Sequence, residues 1–247
     1  MLSALLLGAV ALLAAAPAAS AAVYIDDVEV AEGNGATAAT FTVTRTAGLL
    51  AGPTRASFAT ADASAHAPGD YNAASGTVFF DGLLLGGSQV QRITVTVQGD
   101  GLDEPTETFR VVLSGNEVTG GVGIARIVDD DPSPAVSAGD APAAAEGQDA
   151  TFTIALSAPS GRDVAVAFTT ANGSALAGQD YTARSGTIAI PAGAGSVSVA
   201  VPLLNDSADE PSESFELRLS APSGATLGAA SATATILDTD GPRGTTG

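Results

Sequence analysis

From Val23 onward the chain alternates apolar and polar positions with the period of two expected of strands that bury one face. Phe41-Thr42-Val43-Thr44, Ile93-Thr94-Val95-Thr96 and Phe109-Arg110-Val111-Val112-Leu113 carry the pattern most clearly. It predicts strands near 23–30, 39–45, 54–60, 76–80, 91–97, 108–114 and 123–128. A second set is predicted near 135–138, 150–156, 164–170, 186–190, 196–201, 214–219 and 230–237. Seven short strands per set, separated by turn residues, predict an all-β chain built of two antiparallel β-sandwiches.

The two sets are one pattern written twice. Phe41 corresponds to Phe152, Phe58 to Phe168, Tyr71 to Tyr181 and Phe109 to Phe215, so every aromatic of the second set has a counterpart in the first. These positions are expected to pack the two cores. The predicted boundaries are 23–131 for the first repeat and 132–241 for the second, followed by a flexible tail over 242–247. The repeats join through Asp131-Pro132-Ser133-Pro134, where two prolines stiffen a short linker.

Composition narrows the chemistry. The chain has no Cys, which excludes a disulfide framework, a zinc–thiolate site and a cysteine nucleophile. Its 27 acidic residues against 9 basic ones give a formal net charge of −18 in 247 residues. Such a surface repels nucleic acid and anionic membranes and attracts divalent cations. Acidity for solubility alone is the alternative, and the distribution of the acids argues against it.

Two stretches hold the densest charge: Asp100-Gly101-Leu102-Asp103-Glu104-Pro105-Thr106-Glu107 and Asp206-Ser207-Ala208-Asp209-Glu210-Pro211-Ser212-Glu213. Carboxylates this close repel one another unless a cation sits among them. With the seven strands lettered A to G and alternating in direction, loops A–B, C–D and E–F and the exit from G share one end of a sandwich. Glu32, Asp70, Asp100, Asp103, Glu104, Glu107 and Asp129-Asp130-Asp131 all fall there. The other end holds only Asp81 and Glu117. The second repeat places Glu146, Asp180, Asp206, Asp209, Glu210, Glu213, Asp238 and Asp240 in the same way. A hard cation such as Ca²⁺ takes roughly six to eight oxygens, mostly carboxylate and carbonyl. The donor set therefore points to Ca²⁺, with Mn²⁺ not distinguished from it, and Mg²⁺ fits less well because it keeps its waters.

Gly69-Asp70-Tyr71, its counterpart Gln179-Asp180-Tyr181, the Asp-Glu-Pro-x-Glu-x-Phe loops and the acidic triplet after the last strand resemble Calx-β repeats. The resemblance spans nearly all of 23–241 and implies immunoglobulin-like sandwiches that bind Ca²⁺ through their distal loops. It places metal ligands on Glu32, Asp70, Asp100, Glu104, Glu107, Asp129, Asp130 and Asp131, with the carbonyl of Leu102. In the second repeat it places them on Glu146, Asp180, Asp206, Glu210, Glu213, Asp238 and Asp240, with the carbonyl of Ala208. Two departures bear on charge. Exchanger domains of the family carry an acid where this chain has Gly99 and Asn205, and the second triplet has Thr239 at its centre. Fewer or weaker ions are expected at those places.

No enzyme chemistry is expected. His66 is the single histidine and sits in an Ala-rich loop, which suits an exposed loop residue better than a catalytic one. Glycoside hydrolysis would need a cleft with aromatic sugar platforms, and the few aromatics are assigned to the core. No phosphate-binding loop joins a strand to a helix. The expected function is a Ca²⁺-stiffened extracellular spacer or adhesion module at the cell surface, with roles in cell communication. The alternative is a Ca²⁺-regulated module for an extracellular protein or polysaccharide partner.

Residues 2–22 carry no charge, centre on Leu5-Leu6-Leu7 and Leu12-Leu13, and end in small residues, as a secretory signal peptide over 1–22 does. The absence of Lys or Arg before the apolar run keeps an uncleaved anchor as the alternative. Secretion without membrane insertion after cleavage is the expectation. Mass spectrometry of exported protein should find residues up to about Ala21 or Ala22 removed, whereas an intact Met1 chain in the membrane fraction would establish the anchor.

Overall fold

Strand formation follows the alternation closely. The computed structural model describes residues 21–241, so the leader (apart from Ala21 and Ala22) and the tail over 242–247 lie outside the described residues. The first repeat forms β1 (Ala22–Ile25), β2 (Val28–Ala31), β3 (Ala36–Ala47), β4 (Thr54–Asp62) and β5 (Ser75–Phe80). It continues with β6 (Gly87–Gln98), β7 (Glu107–Ser114), β8 (Val118–Gly120) and β9 (Val122–Val128). The second forms β10 (Ala135–Gly139), β11 (Ala144–Ala145), β12 (Asp149–Leu156), β13 (Val164–Asn172) and β14 (Ser185–Ile190). β15 (Ser196–Pro202), β16 (Glu213–Ser223), β17 (Thr226–Leu227) and β18 (Ser231–Leu237) complete it.

Each repeat pairs a four-stranded sheet with a five-stranded one: β6-β3-β1-β8 with β2-β9-β7-β4-β5, and β15-β12-β10-β17 with β11-β18-β16-β13-β14. Two expectations are corrected. Nine strands, not seven, form in each repeat among the described residues. The first predicted strand splits at Asp26-Asp27, so that β1 pairs with β3 in one sheet while β2 lies beside β9 in the other. The loop after β7 also contributes a short strand. The sandwiches are not purely antiparallel either: β1 runs parallel to β8, β10 to β17 and β11 to β18. A strand that changes sheets midway keeps its direction, and this brings it parallel to edge partners.

The chain divides into two compact units. One comprises the described residues up to Val30, Ala36–Gln98 and Glu107–Ile127; the other comprises Ala31–Gly35, Gly99–Thr106 and everything described from Val128 onward. The acidic tips of the first repeat's loops thus belong to the second unit.

The paired aromatics occupy equivalent places. Tyr71 stacks on Phe109 at 4.2 Å between ring centroids and Phe41 meets Phe109 edge-on at 6.1 Å. Tyr181 stacks on Phe215 at 4.1 Å and Phe152 meets Phe215 edge-on at 5.8 Å. All six rings are fully buried, each worth about 2–3 kcal/mol of burial. Phe58 and Phe168 pack on the cores from partly buried positions.

Among the described strand residues of the first repeat, Arg45 is buried on the core face although it is charged. Arg45 continues the inward register of Ala39, Phe41 and Val43 in β3 and is wholly buried. Its guanidinium donates to both carboxylate oxygens of Glu117 (2.8 and 3.1 Å), to the Asp81 carbonyl (2.9 Å) and to the Gly52 carbonyl (2.7 Å). This single side chain ties together three loops at the end of the sandwich where acids are scarce. Glu117→Ala would leave a buried charge without its counter-ion and should lower stability by about 3 kcal/mol in urea unfolding. The exposed pair Arg126–Glu29 should cost well under about 1 kcal/mol when broken by Glu29→Ala.

Candidate metal centre

The acidic residues are placed by local structure before any ion is considered. In the C–D loop of each repeat the buried tyrosine bonds a polar side chain nine residues before it. Tyr71 donates its hydroxyl to Asp62 at 2.5 Å, which pulls the Asp62 carboxyl below its usual range, while burial pushes the tyrosine up to about 12. Next to it, Asp70 accepts from the His66 backbone N–H at 2.6 Å. The second repeat copies this: Tyr181 donates to Asn172 at 2.7 Å, and Asp180 accepts from the Leu176 N–H at 2.6 Å. His66 therefore serves the loop through its backbone, as Leu176 does, and its side chain stands exposed beside Asp62 at 3.6 Å. In the E–F loops Asp100 and Asp206 each accept a backbone N–H two residues on, from Leu102 and Ala208, both at 2.7 Å. These turns hold the loop backbone at the two residues whose carbonyls were expected as ligands.

In the second repeat the acids converge. Ligand-capable oxygens of Glu146, Asp206 and Asp240 lie within 4.8 Å of one another, and those of Asp180, Glu210 and Glu213 form a second such group. Asp238 turns inward and accepts the Asp240 N–H at 3.2 Å. Burial first, then the charges of Asp238, Asp206 and Asp240, push Glu146 above the ordinary carboxyl range. Glu210 is pushed up by burial and by Asp206, Asp180 and Asp238. Glu213 is raised by burial and by a proton shared with Asp180. Glu146 Oε2 and Asp240 Oδ2 are buried without a hydrogen-bond partner. Among the described residues no ion pair reaches any of these six carboxylates. Buried acceptors with negative charge and no donor are the surroundings a hard cation fits.

The first repeat's loop tips bring Glu32, Asp100, Glu104 and Asp129 into mutual repulsion. Burial and these three neighbours, Glu104 foremost, push Glu32 up to about 7. Asp130 accepts the Gly33 N–H at 2.9 Å and Asp131 accepts from the Asn34 amide at 3.2 Å, so these two acids are partly committed to the A–B loop. Asp129 Oδ1 and Asp131 Oδ2 remain buried without partners. Asp70 and Glu107 sit in the other unit, the former in the turn described and the latter at the head of β7. No carboxylate triad as tight as those of the second repeat forms here among the described residues.

Two features of these tips escaped sequence reasoning. Gly99 occupies the position where exchanger domains carry an acid, and a Cβ there would lie 1.8 Å from the Gly33 carbonyl oxygen. The A–B loop fills that space, so no side chain of any kind fits. Asp103, counted with the acids, is only 2 % exposed and is neutralised internally. Arg162, a member of the same compact unit, donates to it at 2.6 Å and to the Glu104 carbonyl at 2.8 Å, with Asp129 4.0 Å away. Nothing in the spacing of a lone arginine about sixty residues downstream signals that contact.

The model of the family described as Calx-beta domain matches residues 19–131 and 129–240. Among solved structures, the apo form of the Calx CBD1 domain is 23% identical over 44% of this chain and 100% of its own, with a TM-score of 0.40. The structure titled CBD12 from CALX1.2 is 17% identical over 87% of this chain and 99% of its own, with a TM-score of 0.38. The calcium binding domain CBD12 of CALX1.1 is 18% identical over 83% of this chain and 81% of its own, also at 0.38. Comparison with curated proteins gives no match. The two sequence matches tile the described chain almost end to end and coincide with the internal repeat, and on that ground the chain belongs to the Calx-beta domain family, with two copies in tandem.

Proposed function

We propose that the chain is an extracellular Ca²⁺-binding tandem module without enzymatic activity, a spacer for adhesion or communication at the cell surface. The observation that carries this reading is the pair of carboxylate triads in the second repeat, Glu146–Asp206–Asp240 and Asp180–Glu210–Glu213, with no cationic partner among the described residues. Glu146, Asp206, Asp238 and Asp240, with the Ala208 carbonyl, would hold one ion, and Asp180, Glu210 and Glu213 a second. In the first repeat Glu32, Asp100, Glu104 and Asp129 to Asp131, with the Leu102 carbonyl, are the proposed ligands; Asp70 and Glu107, expected from the sequence, belong to the other unit. Arg162 already supplies a positive charge beside Asp103 and Asp129, so the second repeat should bind more tightly despite Thr239. An ion bound at Asp129–Asp131 would also fix the chain where it enters the Pro132-Ser133-Pro134 linker, which is the proposed stiffening. The bound ion supplies charge and no reaction.

Calcium binds the folded state and stabilises it by RT ln(1 + [L]/Kd). At the affinities of about 10⁻⁴ to 10⁻³ M common in extracellular modules, millimolar Ca²⁺ should add roughly 1 kcal/mol per site. Melting in EGTA and in millimolar CaCl₂ should therefore differ by several degrees, and identical curves would refute calcium binding. In titration calorimetry Glu146→Gln/Asp240→Asn should remove the tightest binding phase, whereas Glu32→Gln should leave it.

The calcium-free protein should also depend on pH in an unusual direction. Glu32, Glu146, Glu210 and Glu213 are all raised by folding, so their contribution is fully present below the unfolded carboxyl range and is lost as pH rises through the folded values. For Glu32 that window runs from 4.5 to about 7. Between pH 5 and pH 8 its loss alone should be roughly 2–3 kcal/mol. Chemical denaturation in EGTA should show stability falling over this range, and saturating Ca²⁺ should flatten the profile.

A further inference from the structure

The end of the first repeat where acids are scarce carries a feature that calcium binding does not use. Leu49, Leu50, Leu84 and Leu85 are 70 %, 78 %, 75 % and 88 % exposed. They lie on the β3–β4 and β5–β6 loops, which bond to each other through Leu50 N–H to the Leu84 carbonyl and through a reciprocal pair between Ala51 and Leu83. Gly86, in the left-handed region at φ 72°, lets the two loops close, since a Cβ there would lie 3.1 Å from the Ala47 carbonyl oxygen. Arg45 holds both loops from beneath through Gly52 and Asp81. The leucines therefore stand on a rigid, cross-bonded tip.

Folding does not require them. The corresponding loops of the second repeat read Ser157-Ala158-Pro159-Ser160-Gly161-Arg162-Asp163 and Pro191-Ala192-Gly193-Ala194-Gly195, with no large apolar side chain. Leu50 moreover has φ 60°, where a branched residue is strained and Gly or Asn would be cheaper. A strained, exposed leucine beside three others is a feature held against the local preference of the chain.

We propose that this leucine tip docks the first repeat, end-on, onto a bilayer of zwitterionic phospholipid. Three observations select that partner. The four leucines offer on the order of 500 Å² of apolar surface, less than the roughly 800 Å² per partner of a stable protein interface. Charge at this end is balanced: Arg45 offsets Glu117, and Arg55, which sits over the Phe79 ring at 5.5 Å, offsets Asp81. The tip therefore presents little net charge of its own, and neutral lipid presents no opposing charge. Finally, Ala22 opens β1 opposite Thr46, one residue from the end of β3 and beside these loops. Residues 2–20 precede it in sequence, and an uncleaved anchor there would tether the chain beside the leucines. The cross-loop bonds leave the tip's backbone groups paired, as an apolar surrounding demands.

The chain contains no Trp, so one indole reports one place. In the full chain carrying Leu85→Trp, phosphatidylcholine vesicles with doxyl-labelled acyl chains should shift the emission to the blue and quench it by half or more. A control chain carrying Ala192→Trp, on the equivalent loop of the second repeat, should show neither change. Adding Leu49→Asp/Leu84→Asp to the Leu85→Trp chain should weaken the vesicle response at least tenfold. Circular dichroism melting checks each fold, and Leu84→Trp, with Leu49→Asp/Leu50→Asp as its charged partner, replaces Leu85→Trp if that chain melts early. Emission indifferent to vesicles, equal quenching at the control position, or survival of quenching in the aspartate variant would overturn the proposal. A blue shift that grows with protein concentration in the absence of lipid would overturn it in favour of a second copy of the chain covering the tip.

Discussion

In each repeat the stack of a loop tyrosine on a strand phenylalanine joins the core to the acidic end. Tyr71 on Phe109 and Tyr181 on Phe215 lie at nearly the same spacing and tilt, in repeats whose other side chains differ widely. The ring belongs to the C–D loop, so burying it pins that loop to the F strand. The aspartate one residue earlier is carried with it, and the E–F acids lead into that same strand. Burial of an apolar ring thus decides where charge is held, and repulsion among the acids is tolerated because the rings anchor the loops that bear them.

The same constraint explains why the two repeats differ in their acidic groups. Where loops are held only by the tyrosine and by backbone turns, as in the second repeat, carboxylates face one another, and burial and mutual repulsion raise Glu146, Glu210 and Glu213. Where side chains find other partners the group loosens. Asp130 and Asp131 bond the A–B loop, and Asp103 is taken by Arg162. Counting acids therefore overstates the first repeat, which has the fuller triplet but the less closed arrangement of carboxylates.

The first repeat also divides its chemistry between two ends. One end gathers negative charge on loops that leave oxygens without partners. The other is braced by a buried Arg45–Glu117 pair and exposes leucine. A buried ion pair contributes little net stability over an apolar substitute, but it fixes geometry because neither partner can leave alone. Here it holds the two loops that carry the leucines, a structural role for the one arginine fully buried among the described residues.

Much was legible in the sequence because it depends on local periodicity. The alternation of Phe41-Thr42-Val43-Thr44 fixes a strand and its buried face wherever that strand is placed, and four matched aromatics reveal the repeat. Alternating strand direction predicts that the acidic loops of a repeat share one end, and in the second repeat the structure brings Glu146, Asp206 and Asp240 together. What tertiary structure decided involves partners distant in sequence. The split of the first strand at Asp26-Asp27 depends on which sheet edge is free, and the short strands β8, β11 and β17 exist only because an edge was there to receive them. The burial of Arg45 depends on Glu117 reaching it from 72 positions away. The silence of Gly99 depends on the Glu32–Gly33 backbone filling its space, and the capture of Asp103 depends on Arg162. Periodicity reports which face of a strand is apolar; it carries no information about which polar groups meet across loops, because those contacts are set by packing rather than by spacing.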